Sequence, residues 1–236
     1  MDPRTVGVLG GGQLGRMMAE AAHRLGIKLA VLDPLGKVSP AGQVAELAVE
    51  GSFRDAVKID TCACGTHIPL PCPSSVFPPQ HGVRMPQYMD TPTVASVREA
   101  GRVFGYPLML KAKRMAYDGR GNSPVMAEKD IEAAFDGLGG EGLYVEEWVD
   151  FEKELAIMVV RGREGEVSCY PVVDTVQKDN VCHTTFAPAR VSPAAAAAVE
   201  ALARLAVGSL WGAGIFGVEL FLGKDGTILL NEIAPR

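Results

Sequence analysis

The chain has 236 residues, 47% hydrophobic and 22% charged, the balance of a globular protein with room for one large or two small domains. A formal net charge of -5 gives no reason to expect nucleic acid as a partner, and no apolar run reaches the length of a membrane span. Five cysteines, an odd number, do not read as a disulfide framework, so a reducing, cytoplasmic setting is expected, with no signal peptide ahead of the first strand.

Val6–Leu9 reads as a short strand, followed by the turn Gly10-Gly-Gly12-Gln-Leu-Gly15. A helix-period stretch then runs through Arg24, with Leu14, Met17, Met18, Ala21, Ala22 and Leu25 on one face, and Gly26 stops it. Lys28–Leu32 is a second strand, ended by Asp33. This is β-α-β with G-x-G-x-x-G at the first turn and an acid about 20 residues on, the pattern of a dinucleotide-binding unit. It admits an NAD(P)-dependent dehydrogenase. The same turn places backbone N–H groups at a helix N-terminus, which suits any phosphate. Glycines needed only for a tight turn are the plainest reading.

Ala41–Leu47 reads as the next helix and Gly51-Ser-Phe53 as a strand-end loop. Asp60–Gly82 then holds five prolines, three cysteines and two histidines without a period of 2 or 3.6. A structureless stretch of that length is uncommon inside a compact domain. Cys62, Cys64, His67, Cys72 and His81 match no common zinc spacing, and the stretch is expected to be an irregular insert.

Regular patterns return with a helix over Thr91–Gly101 and a strand over Tyr106–Lys111. The glycine-rich turn Ala116-Tyr-Asp-Gly-Arg-Gly-Asn122 leads to a returning strand over Ser123–Ala127 and a helix over Ile131–Leu138. Leu143–Val149 is a strand. Glu154–Val160 and Val167–Val173 form a hairpin, and Val181–Ala187 is a further short strand. Pro193 opens an alanine-rich helix to about Leu210, with Leu202, Leu205 and Ala206 among its apolar positions. Two apolar runs, Gly214–Leu222 and Thr227–Glu232, flank the turn Gly223-Lys-Asp-Gly226 and read as a hairpin. With those four residues as the loop, Leu222 faces Thr227 and Glu219 faces Leu230. Glu232 then lies on the same face as Glu219, a diagonal roughly 7–8 Å away.

Lys111 at a strand end, Gly119-Arg120-Gly121 in a loop and the Glu219/Glu232 pair make a kit for a nucleotide polyphosphate. Lysine is a point charge for phosphate oxygens, a glycine turn admits a phosphate without a Cβ clash, and paired carboxylates suit magnesium. Each taken alone is most often a solvated side chain or a plain turn; their order along one chain is the signal.

These residues carry a resemblance. Gly10-Gly-Gly-Gln-Leu-Gly-Arg-Met-Met18, Leu110-Lys111, Ala116–Asn122, Lys153-Glu-Leu-Ala156, Ala187-Pro-Ala-Arg190, Gly214–Glu219 and Asn231-Glu-Ile-Ala-Pro-Arg236 are similar to the ATP-grasp N5-carboxyaminoimidazole ribonucleotide synthase family. The nearest likeness is to the N-terminal part of the fungal carboxylases. The resemblance implies an α/β fold: a Rossmann-like pre-ATP-grasp unit over 1–59, an irregular segment over 60–83 and an α+β ATP-grasp domain over 84–236, incomplete at its C-terminus. It implies carboxylation of aminoimidazole ribonucleotide by bicarbonate through carboxyphosphate, in purine synthesis, with ATP and Mg2+ and with a homodimer as the candidate assembly.

By the same resemblance, Lys111 binds ATP phosphates and the loop with Tyr117, Gly119, Gly121 and Asn122 closes over them. Glu146, Glu147 and Val149 meet adenine and Glu154 meets ribose; Glu219, Asn231 and Glu232 hold magnesium. Asp118 and Arg120 are the expected catalytic residues, Asp118 positioning the substrate amine or bicarbonate. Gly11, Gly12, Gln13 and Leu14 receive the phosphate of the ribonucleotide. Gln177 stands where family members carry a histidine near ATP, and it is left outside the expected site. The segment 60–82 has no lysine, where the family supplies a second one for ATP. Weak ATP binding and little carboxylation are therefore expected of this chain, with a non-catalytic ATP-grasp remnant as the alternative.

Overall fold

The computed structural model describes residues 5–52, 55, 57–58, 82–113, 121–178 and 181–235. The chain divides into two compact units at residues 69 and 70. Among the described residues no helix is long and apolar enough to cross a membrane.

The first unit holds a three-stranded parallel sheet in the order β1-β2-β3: β1 (Thr5–Leu9), β2 (Lys28–Asp33) and β3 (Leu47–Glu50). Helix α1 (Gln13–Arg24) connects the first two. It buries Gly15, Ala19 and Ala22, while Leu14, Met17 and Leu25 are exposed. This corrects the expected apolar face. Small residues let the helix lie close to the strand-end backbone, and a Cβ on Gly15 would stand 2.5 Å from the Gly10 carbonyl oxygen. Gly15→Ala is therefore expected to cost about 1–3 kcal/mol, read from the midpoint of urea unfolding. An unchanged midpoint would show that the turn relaxes without cost.

The helix expected over Ala41–Leu47 is not formed. The stretch makes one turn, with Ala45 N–H donating to the Ala41 carbonyl, and its end joins β3, where Leu47 pairs with Ala30. Glu46 accepts from Leu29 N–H at 2.8 Å and pairs with His23 at 3.1 Å. Parallel pairing with β2 thus overrides the local helical pattern.

In the second unit a four-stranded antiparallel sheet has the order β4-β7-β5-β6: β4 (Tyr88–Asp90), β5 (Leu108–Ala112), β6 (Asn122–Val125) and β7 (Leu143–Glu147). One face buries Leu108, Leu110, Val125, Leu143 and Val145 against α2 (Val94–Phe104) and α3 (Ile131–Gly137). Each such apolar side chain contributes roughly 1.5–3 kcal/mol. Thr93 and Ser96 close a capping box at the start of α2. The helix continues past Gly101, the expected stop, to Gly105, whose φ of 79° ends it. Gly101 instead makes room for the Tyr106 ring.

The larger sheet of this unit is antiparallel, in the order β11-β10-β8-β12-β13, and β9 also pairs with β8. Its strands are β8 (Phe151–Arg161), β9 (Val167–Cys169), β10 (Val173–Lys178), β11 (Val181–Phe186), β12 (Gly214–Gly223) and β13 (Ile228–Pro235). The run expected as a single strand over Val167–Val173 is divided between β9 and β10, both on the same side of β8. Helix α4 (Pro193–Gly208), capped by Ser192, packs on β8, β9, β12 and β13 through Val199, Leu202, Ala203, Ala206 and Val207. Leu205, expected on that face, is 44% exposed. On the sheet, Leu155, Ile157, Val159, Phe216, Val218 and Leu220 are buried. The pleat sends their alternates, Glu154, Ala156, Glu219 and Phe221, to the opposite face.

Candidate functional site

The hairpin of β12 and β13 differs from the expected register. Leu222 pairs with Ile228, not Thr227, and Glu219 pairs directly with Glu232, not Leu230. Two local causes combine. The loop is wider, with Gly223 N–H donating to the Thr227 carbonyl at 2.8 Å and Asp225 accepting from both the amide and the hydroxyl of Thr227. A bulge between Glu219 and Leu220 then gives β13 one additional residue, Asn231. Bulges re-aim side chains and recur beside functional sites.

The result is two carboxylates face to face on one side of the sheet, Glu219 half-buried and Glu232 exposed. Like charges directly opposite one another destabilise an antiparallel pair, and a divalent cation reverses that sign. Among the described residues no three His, Cys, Asp or Glu side chains cluster as a metal site. The donors here are two carboxylates and the Asn231 amide, all oxygen. That set fits magnesium, which takes one or two carboxylates and completes its shell with waters and phosphates.

Lys111 on β5 and Glu146 on β7 form the second cluster. Lys111 pairs with Tyr144 and Met109 with Glu146, so Lys111 and Glu146 are diagonal neighbours on the face opposite the α2–α3 core. Lys111 Nζ lies 2.6 Å from Glu146 Oε2, with the two side chains 13% and 9% exposed. The same Nζ donates to Asn231 Oδ1 at 3.3 Å. This contact ties the smaller sheet to the bulge of the larger one.

Glu147, expected at the adenine, lies at the end of β7. Its carboxylate accepts from the amide of Gln87 at 2.9 Å and from the Gln87 side chain at 3.3 Å. Val149 is half-buried in the link between β7 and β8. Gly121, with φ 92°, accepts from Ala112 N–H, and Asn122 pairs with Lys111 across β5 and β6. Tyr117, Asp118, Gly119 and Arg120 lie outside the described residues, as do Cys62, Cys64, His67, Cys72 and His81.

Glu154 on β8 shares the face of Glu219, and burial pushes its carboxyl pKa up, with a hydrogen bond from Gln177 opposing the rise. Folding that raises a carboxyl pKa stabilises the fold below the ordinary carboxylate range, and the contribution is lost as pH climbs through the raised value. Gln177, outside the expected site, lies in period with Thr175 on β10, which pairs with Glu154.

In the first unit, Gly11 N–H donates to Asp33 Oδ2 at 2.8 Å and Leu35 N–H to Asp33 Oδ1 at 2.8 Å. The acid that a dinucleotide reading needs for a ribose is thus held by two backbone amides. Gly12 is the N-cap of α1, and Gln13 and Leu14 lie in its first turn, where helix geometry leaves N–H groups without intrahelical acceptors. Those amides suit a phosphate.

Comparison with known proteins places the fold in a family. Residues 77–236 match the ATP-grasp domain and residues 3–68 the ribonucleotide synthetase preATP-grasp domain. The chain is 42% identical over 270 aligned positions to phosphoribosylaminoimidazole carboxylase of Schizosaccharomyces pombe, covering 100% of this chain and 49% of that protein. The chain thus spans about half the length of the curated relatives it matches. Carboxyaminoimidazole ribonucleotide synthase from Aspergillus clavatus, solved with ATP, superimposes with a TM-score of 0.84 at 39% identity over 98% of this chain and 69% of that one. The same enzyme with ADP and 5-aminoimidazole ribonucleotide gives 0.82 at 36% identity, over 98% and 69%.

Proposed function

This chain belongs to the ATP-grasp family, and we propose that it acts in the ATP-dependent carboxylation of aminoimidazole ribonucleotide with bicarbonate, a step of purine synthesis. The observation that carries this reading is the opposed pair Glu219/Glu232 beside the bulged Asn231, with Lys111 bonded to that same asparagine. The relatives solved with ATP, or with ADP and the ribonucleotide, support it. A cytoplasmic setting and the division into 1–59, 60–83 and 84–236 belong to the same reading.

In this mechanism Glu219, Glu232 and Asn231 would hold magnesium, which when bound neutralises charge on the phosphates. Lys111 exchanges Glu146 for phosphate oxygens, leaving the β7 end with Glu146, Glu147 and Val149 toward adenine. Glu154 accepts from ribose hydroxyls. A bicarbonate oxygen attacks the γ-phosphorus as the bond to ADP breaks, giving carboxyphosphate. The exocyclic amine of the ribonucleotide takes the carboxyl carbon, phosphate leaves, and the amine gives up a proton. Asp118 positions that amine or the bicarbonate, and Arg120 offsets the developing charge. Gln13 and Leu14 amides of the first unit, next to Gly11 and Gly12, receive the ribonucleotide phosphate. Water must be kept from carboxyphosphate, which hydrolyses readily.

A coupled assay of ADP release tests the proposal. Release that requires both bicarbonate and aminoimidazole ribonucleotide, at a low rate in keeping with the lysine-free stretch 60–82, is the expected result. The lysine-free stretch 60–82 favours one other reading, a nucleotide-binding chain without turnover. Thermal stabilisation by Mg-ATP with no such release would assign the chain to it.

A further inference from the structure

Lys111 has two partners in the ligand-free chain, and one of them is an atom that a cation at the hairpin would use. Its Nζ lies 2.6 Å from Glu146 Oε2 and donates to Asn231 Oδ1 at 3.3 Å. Asn231 is the extra residue of the β13 bulge, next to Glu232, which pairs with Glu219 across β12 and β13. An asparagine amide has one carbonyl oxygen, and its nitrogen only donates. A cation held by Asn231 therefore uses the oxygen on which the ammonium already stands. Asn231 is half-buried, and two positive charges repel more strongly where water screens them less. Lys111 is not free to step aside into solvent. Its side chain is 13% exposed and that of Glu146 9%, so departure leaves a mostly buried carboxylate uncompensated. A nucleotide changes this balance, because its phosphate oxygens accept from the ammonium and set negative charge beside the cation.

We propose that Lys111 is a specificity-determining residue, which makes the site select the metal–nucleotide complex over the free divalent cation. In the ligand-free chain its ammonium occupies Asn231 Oδ1, and phosphate draws it away. The inference rests on the reading that Glu219, Asn231 and Glu232 hold magnesium beside ATP phosphates. It adds an order to that reading: the cation enters with the phosphates and not ahead of them.

Titration of the full chain with manganese alone, followed by electron paramagnetic resonance of the free ion, tests it. Manganese shares the preference of magnesium for carboxylate, carbonyl and water oxygens. The native chain is expected to bind free manganese weakly. Lys111→Met combined with Glu146→Gln removes the ammonium at unaltered net charge, so a gain in this variant is not a general charge effect. It is expected to bind manganese about tenfold more tightly than the native chain, the scale of one hydrogen bond to a charged group. Lys111→Gln with Glu146 intact is the second variant and should gain at least as much, since it also uncovers a negative charge. Adding Glu232→Gln to either should abolish the gain, and a gain that survives it lies elsewhere and overturns the inference. Calorimetry of manganese–ATP binding to the native chain is the companion measurement. If the native chain binds manganese–ATP but the variants take up free manganese no better than it does, the inference fails although the ATP reading stands. Native affinity for free manganese as high as in the presence of ATP has the same meaning. If the native chain binds neither manganese nor manganese–ATP, the reading of the site itself fails.

Discussion

Glu219→Gln and Glu232→Gln are each expected to weaken Mg-ATP binding on the order of 100-fold, about 2.8 kcal/mol, without weakening the fold. The two carboxylates are paired directly across β12 and β13. Removing one of two facing like charges relieves repulsion of roughly 0.2–1 kcal/mol. A structural acid would show the opposite pattern, with lower stability and unaltered affinity. Isothermal calorimetry with ATP, with and without magnesium, separates the two when run beside thermal unfolding of the same variants. Native-like affinity in both variants would sink the metal assignment. An asparagine-to-alanine change at 231 is the informative companion, because Asn231 lies in the bulge next to Glu232 and accepts from Lys111.

Lys111→Ala should lower stability by about 3 kcal/mol and lower ATP affinity as well. Its partner Glu146 is 9% exposed in the side chain. Removing one member of a mostly buried ion pair leaves the other charge uncompensated, a cost of roughly 3–5 kcal/mol. The small exposure of both groups places the expectation at the lower end. At about 2–4 °C per kcal/mol for a chain of this size, the melting temperature falls by roughly 6–12 °C. Lys111→Met combined with Glu146→Gln removes both charges and should restore most of the stability, since replacing a buried pair by neutral groups is often near neutral. ATP affinity should stay low in the double variant. A single variant as stable as the native chain would show that the pair contributes nothing to the fold, and recovery of ATP affinity in the double variant would remove Lys111 from the nucleotide site.

The parts of this design that were legible in the sequence are local. Gly10–Gly15 between a strand and a helix, a lysine at the end of an apolar run and two acids flanking a Gly-Lys-Asp-Gly turn are short-range patterns. The structure places each on the element expected of it. The departures also have local causes. Leu14, Met17 and Leu25 mark an apolar face of α1 by their period, whereas close approach to the Gly10 carbonyl selects Gly15, Ala19 and Ala22 for burial. Ala41–Leu47 has a helical period, but parallel pairing of Leu47 with Ala30 decides its conformation. Gly101 looks like a helix stop and is a seat for Tyr106.

The amino-acid sequence alone determined the chemistry on offer: which strand holds a lysine, which hairpin holds two acids, and which turn can approach a phosphate. Those follow from residue type and period, which are properties of a few neighbouring positions. Tertiary structure alone decided which groups meet. A wider loop and one extra residue in β13 together turn a diagonal pair of glutamates into an opposed one, and Asn231 at the bulge meets Lys111, 120 positions away in sequence. The pairing of β5 with β7 sets Glu146 beside that lysine. A bulge shifts register by a single residue, and in a structure of period two that shift changes both the partner and the face of the side chains beyond it. No pattern read along one strand contains that information, because it lies in the pairing between strands.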